Sequence, residues 1–117
     1  MKKPPFYKSL QYAIKGILSI IRTERNFQYH LLGLLLNLFL IVVLQLTSTD
    51  TALIILACFT VLVTEMLNTA IEKICDFIEP NFNPKIGFIK DLAAGAVLLA
   101  TIGAIAVGVL VYWRYLY

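Results

Sequence analysis

The sequence predicts an all-α integral membrane protein, with an N-terminal amphipathic helix on the membrane surface followed by three transmembrane helices. Three observations carry that prediction. Of 117 residues, 60% are hydrophobic and only 15% charged, against about a quarter charged in ordinary soluble proteins, and the mean hydropathy is +0.83. Three apolar stretches approach or reach the roughly 20 residues that a helix needs to cross a hydrocarbon core. The basic residues fall one-sidedly in the segments between those stretches. One domain over residues 1–117 is the expected organisation.

The surface helix is expected over about residues 6–23. Leu10, Ile14, Ile17 and Ile21 recur at helical spacing, while Lys8, Lys15 and Arg22 are seven apart on the other side, the pattern of a helix lying in a membrane interface. Lys15, Arg22, Glu24 and Arg25 interrupt any signal-type apolar run, so no cleaved targeting segment is expected. The first span, about 28–46, holds the apolar run Leu31–Leu46, broken only by Asn37 and Gln45, with Phe27 and Tyr29 at the interface.

The second span, about 51–78, contains Glu65 and Asn68. Asp50 is expected to cap its start, and Pro80 with Pro84 to stop its continuation. Glu79 to Lys90 reads as the one long non-helical stretch, with Asn81, Asn83 and Gly87 as turn formers. The third span, about 91–113, has no charged side chain from Leu92 to Trp113. Ala96, Ala100, Ala104 and Gly108 recur every four residues, and Gly95 and Gly103 widen the strip. Small residues so spaced let helices approach closely within lipid. Tyr112, Trp113, Tyr115 and Tyr117 read as an interfacial aromatic belt.

Orientation follows from the charges. Lys2, Lys3, Lys8, Lys15, Arg22 and Arg25 precede span one, and Lys73, Lys85 and Lys90 lie between spans two and three, whereas Thr47–Thr51 has no basic residue. The N-terminus and the second loop are therefore expected to be cytoplasmic. A formal charge of +3 is too small a bias to argue for a nucleic-acid partner. Cys58 and Cys75 form no CxxC or Cys/His pattern and read as small buried hydrophobes rather than a disulfide or zinc site.

Chemistry points to the second span. Glu65, Asn68, Thr69, Glu72 and Asp76 fall within about a third of the helix circumference at roughly 100° per residue. A charge inside a membrane costs at least about 2.5 to 3.5 kcal/mol on insertion scales, so this face meets water, protein, a cation or a polar ligand. Glu65 would lie about 10 Å deeper than Glu72, at about 1.5 Å per residue. A general base at lipid depth and a cation site at water depth would be arranged in this way. Hard divalent cations take oxygen ligands, and magnesium commonly uses one or two carboxylates plus substrate phosphates; Glu72 and Glu24, which share a membrane level, are the candidates. Lys90 and Asp91 add a phosphate-binding cation and a further carboxylate.

Each residue also has a plainer explanation. Glu65 would pair with a lysine of another helix, Lys90 would snorkel as a membrane anchor, and His30 would be an interfacial polar residue with a satisfied hydrogen bond. No P-loop, GxGxxG or His/Cys metal pattern is present. A small ion channel or transporter using the acidic face as its path is the alternative from a different class.

The run Glu65-Met66-Leu67-Asn68-Thr69-Ala70-Ile71-Glu72-Lys73-Ile74-Cys75-Asp76 closely resembles the signature of the prokaryotic diacylglycerol kinase family, which includes undecaprenol kinases. Glu24-Arg25-Asn26-Phe27 resembles the family's acidic approach to span one, and Lys90-Asp91-Leu92-Ala93-Ala94-Gly95-Ala96-Val97 its third-span opening. Asn83 stands where many members carry a histidine, and Gln28 where a basic residue is common.

The resemblance implies a homotrimer in the bacterial inner membrane that transfers the γ-phosphoryl group of ATP to a lipid hydroxyl, with sites formed between subunits. Diacylglycerol yielding phosphatidic acid is the expected reaction, and undecaprenol is the alternative acceptor. It implies Glu65 as general base, and Glu24 and Glu72 as holders of Mg2+ on the ATP phosphates. Asn68 and Asp76 would organise the site, while Tyr12, Lys90 and Asp91 contact nucleotide. Positioning and charge neutralisation suffice for phosphoryl transfer.

Overall fold

A computed structural model describes residues 2–116. It contains helices α1 (Phe6–Thr23), α2 (Arg25–Leu44), α3 (Ser48–Ile78) and α4 (Pro84–Tyr112), closed by a single 3-10 turn over Trp113–Tyr115. The three segments Arg25–Leu44, Ser48–Ile78 and Pro84–Tyr115 are each long and apolar enough to cross a membrane.

Glu24 is the hinge between α1 and α2. Its extended backbone (φ −108°, ψ 113°) ends one helix and starts the next. Its N–H donates to the Ile20 carbonyl, and its own carbonyl accepts from Gln28. The Gln28 side chain then reaches back to the Ile21 carbonyl at 2.8 Å, which gives Gln28 a role in joining the two helices.

The first span therefore begins at Arg25 rather than 28. It ends at Leu44 rather than 46, because Gln45 adopts a left-handed conformation (φ 56°). Leu46 N–H donates to the Ile41 carbonyl and Gln45 N–H to that of Val42, the paired hydrogen bonds that close a Schellman-type helix end.

The second span starts at Ser48, three residues before the expected 51, and its cap is Thr47 rather than Asp50. The Thr47 hydroxyl accepts from Asp50 N–H at 3.2 Å, so Asp50 stands inside the first turn with its carboxylate free to bond elsewhere.

The third span departs furthest from expectation. It begins at Pro84 rather than 91, so the connection shrinks from Glu79–Lys90 to Glu79–Asn83, and Gly87 is helical. Asn83 Oδ1 accepts from Lys85 N–H at 2.9 Å and Ile86 N–H at 3.4 Å, while Pro84 occupies the first turn. Proline there loses no hydrogen bond, and its fixed φ suits a helix start. Pro84, which with Pro80 reads as a stop signal for α3, is thus part of the start signal of α4.

Helix α3 is the central element, with α4 along one side and α2 along another. The core cluster joins Ile20 of α1, Phe27 and Leu34 of α2 and Leu62 of α3, with Ile21, Leu31, Cys58 and Met66 packed around it. Cys75 is buried and Cys58 half-buried. Much apolar surface faces outward, including Leu32, Leu36 and Phe39 on α2 and Leu98, Leu99 and Leu110 on α4. Helices apolar on nearly all sides suit a lipid surrounding. On α1, Leu10, Ile14 and Ile17 are likewise uncovered.

The aromatic end of α4 does more than form a belt. Tyr112 donates to Asn37 Oδ1 at 2.7 Å and Tyr115 to Asp50 Oδ2 at 2.6 Å, which tie α4 to α2 and α3. Tyr117 lies outside the described residues.

Candidate functional site

Two packing events build the site. Phe27, His30 and Leu34 are three and four residues apart on α2 and so share a face. Burial of Phe27 and Leu34 against Leu62 turns that face toward α3, where Glu65 follows Leu62 by one turn. The Glu65 carboxylate is consequently buried, with the residue only 4% exposed, and His30 Nε2 stands 3.6 Å from its Oε2. Asn26 also faces that carboxylate, and Glu24 and Glu72 are the acids within its electrostatic reach.

One turn further along α3, Asn68 Nδ2 donates to Glu72 Oε1 at 3.1 Å, as side chains four residues apart on a helix readily do. Asn68 Oδ1 is buried and has no hydrogen-bond partner. Such an atom normally finds a donor, so this oxygen is an acceptor held open beside Glu72. Another turn on, Lys90 of α4 bonds Asp76 Oδ1 at 2.5 Å. The Asp76 side chain is largely exposed and that of Lys90 partly so, which leaves the Lys90 ammonium able to take a second anionic partner.

The expected residues are thus partly assembled. Glu65, Asn68, Glu72, Asp76 and Lys90 follow one another along a single face, and Glu24 borders it from the α1–α2 hinge. Among the described residues no bond joins Tyr12 or Asp91 to this row; Tyr12 is 57% exposed, and Asp91 is exposed too.

Among the described residues no group of three or more His, Cys, Asp or Glu is arranged to hold a metal alone. A cation completed by phosphate oxygens needs only one or two carboxylates. Glu24 and Glu72 both lie within electrostatic reach of Glu65, and with the orphaned Asn68 oxygen beside Glu72 they are oxygen donors of the type such a cation takes.

Sequence reasoning left His30 aside, and the structure sets it against Glu65. The signal available was its spacing from Phe27 and Leu34. His30 also opens a groove of about 290 Å3 between α2, α3 and α4, running past Gly33, Asn37, Cys58 and Val61 to Gly108. A second polar cluster was not foreseen. Asp50 is 3% exposed and bonds Arg114 Nη2 at 2.5 Å and Tyr115, at the start of α3, whereas Glu65 stands in its middle.

Comparison with known proteins gives this row a context. Residues 11–112 match the family model described as prokaryotic diacylglycerol kinase. The chain is 35% identical over 107 residues to an undecaprenol kinase of Bacillus subtilis, with 92% of this chain and 87% of that protein covered. It is 34% identical over 106 residues to a diacylglycerol kinase of Synechocystis, covering 90% and 61% respectively. A diacylglycerol kinase of Escherichia coli is 28% identical over 108 residues, covering 92% and 88%. The matched region takes in the hinge acid Glu24, the buried Glu65 carboxylate and Lys90 of α4, and the chain belongs to the prokaryotic diacylglycerol kinase family of lipid kinases.

Proposed function

We propose that this chain transfers the γ-phosphoryl group of ATP to the hydroxyl of a membrane lipid, with Mg2+, at the cytoplasmic face of the bacterial inner membrane. The observation that carries the reading is Glu65, a carboxylate buried in an apolar helix and met by no tight cationic partner. Glu65 accepts the hydroxyl proton as the hydroxyl oxygen bonds to the γ-phosphorus, and the bond to the departing ADP oxygen breaks. Glu24 and Glu72 would hold the metal, with Asn68 keeping Glu72 in place. When bound, the cation neutralises phosphate charge. Lys90, kept in position by Asp76, meets phosphate oxygens, and Tyr12 and Asp91 contact the nucleotide.

The acceptor enters from the lipid. The groove that starts at His30 would seat the first methylenes of its hydrocarbon chain and leave the hydroxyl beside Glu65. Helix α1 lies on the membrane surface with Leu10, Ile14 and Ile17 in the lipid, and the N-terminus is cytoplasmic. Three copies form a homotrimer. At Gly95, Gly103 and Gly108, among the described residues, nothing beyond the glycine's own stretch of helix lies within 4 Å of where a Cβ would stand, so a helix of another copy has room to approach closely.

Diacylglycerol and undecaprenol both carry a hydroxyl at the polar end of a molecule anchored by hydrocarbon, and relatives named for each acceptor match at similar identity. The test is phosphoryl transfer from labelled ATP in defined bilayers offering diacylglycerol, ceramide or undecaprenol separately. Label in one lipid, abolished by chelation of Mg2+, is the expected result. Failure with every alcohol, or ion flux in liposomes without ATP, would reject the lipid kinase reading in favour of a channel.

A further inference from the structure

We propose that His30 is the positioning residue of Glu65, its Nε2–H holding carboxylate oxygen Oε2 so that Oε1 is turned to the lipid hydroxyl. The inference rests on the kinase reading given above and adds to it a group on a different helix. Glu65 is buried; Glu24 and Glu72 are acids that repel it, and Asn26 is a neutral neighbour on the same helix as His30. Among the described residues His30 is the one cation-forming side chain paired with it; the other two ion pairs are Lys90–Asp76 and Arg114–Asp50. A base whose carboxylate rotates freely would present its oxygens at random, and misplacement by about 1 Å can cost on the order of 100-fold in rate.

The geometry suits this role and no more direct one. At 3.6 Å the contact is longer than a hydrogen bond. Catalytic hydrogen bonds are often long before substrate binds and tighten in the complex. The imidazole is held by its helix, since Phe27 and Leu34 on either side of it are buried in the core, so only a side-chain rotation is needed to close the gap. His30 takes no proton in the reaction. The hydroxyl proton goes to Glu65, the hydroxyl oxygen bonds to the γ-phosphorus of the nucleoside triphosphate, and the electron pair of the broken P–O bond leaves on the nucleoside diphosphate.

The experiment compares the full-length parent, His30→Ala and His30→Gln in bilayers containing whichever lipid alcohol the parent phosphorylates. His30→Ala is expected to lower kcat about 10- to 100-fold, with KM for ATP and for the lipid within about twofold. His30→Gln keeps an N–H donor of similar reach and is expected to recover most of the loss. If the alanine variant does not fold, His30→Leu, of similar bulk without a donor, takes its place in the same comparison. An unchanged kcat, a loss confined to KM for the lipid, or a glutamine variant no better than alanine would overturn the role of His30 while the parent's activity upholds the kinase reading. A parent that phosphorylates no alcohol would overturn the kinase reading itself, and this role with it.

Discussion

Asp50 and Glu65 lie on the same helix, 3% and 4% exposed, and the chain treats them in opposite ways. Asp50 receives a guanidinium at 2.5 Å and a tyrosine hydroxyl at 2.6 Å. That hydroxyl also accepts from Thr47 N–H at 3.1 Å, so Tyr115 completes the helix cap that Asp50 and Thr47 begin. Every bond there is made inside the chain, and the result is a clasp between the start of α3 and the end of α4. Glu65 has a histidine at 3.6 Å, the neutral Asn26 side chain and acids within electrostatic reach, and, a turn away, an amide oxygen with no partner. Since a buried charge with no close cationic partner is costly, a chain that leaves one so has a use for it with a ligand. The difference separates an acid that fastens the fold from one held ready for chemistry.

Substitutions around the two acids sharpen that division. The largest effect is expected from Glu65→Gln, which keeps the shape and removes the base. Phosphoryl transfer to lipid should fall by about 100-fold or more while the variant still folds, as followed by labelled phosphate and thermal unfolding. Transfer at the parent rate would remove Glu65 from the reaction. Next comes Glu72→Gln, expected to raise the Mg2+ concentration for half-maximal rate about tenfold or more. A magnesium titration superimposing on the parent's would exclude Glu72 as a ligand.

At Asp50 the sign of the comparison reverses. Asp50→Ala should lower the thermal midpoint by about 5 °C, with kcat per folded molecule kept within about twofold, because the clasp touches no reacting group. A kcat loss without a stability loss would break the contrast between the two acids. The smallest effect is expected for Tyr115→Phe. It keeps the ring but removes one hydroxyl, and the midpoint should fall by about half as much in the same scan; a larger drop than for Asp50→Ala would mean that the tyrosine, not the aspartate, anchors the clasp.

Much of this was legible in one dimension. Helical periodicity and apolar length are local properties, and they located α1 at residues 6–23 and ended α3 at Ile78, as the structure does. The common face of Glu65, Asn68, Glu72 and Asp76 follows from offsets along one helix, and the bond between Asn68 and Glu72 is its direct product. Helix starts were harder. Asn83-Pro84 serves as cap and first turn of α4, yet the same two residues also describe a loop, and only the bonds made to Asn83 Oδ1 decide between them. Asp50 posed the same ambiguity: an aspartate near a helix start suits the cap or the first turn, and Thr47 took the cap.

By itself, then, the order of amino acids determined that the chain is helical, that three segments can cross a membrane, and that acids share one side of the middle one. Spacing along a single helix is enough for each of these. The tertiary structure alone decided that His30 faces Glu65, that Lys90 meets Asp76, and that Asp50 is clasped by Arg114 and Tyr115. Those meetings depend on how α2 and α4 are turned against α3. Packing of Phe27, Leu34 and Leu62 sets the first of those rotations, a relation between residues distant in the chain that no periodicity expresses.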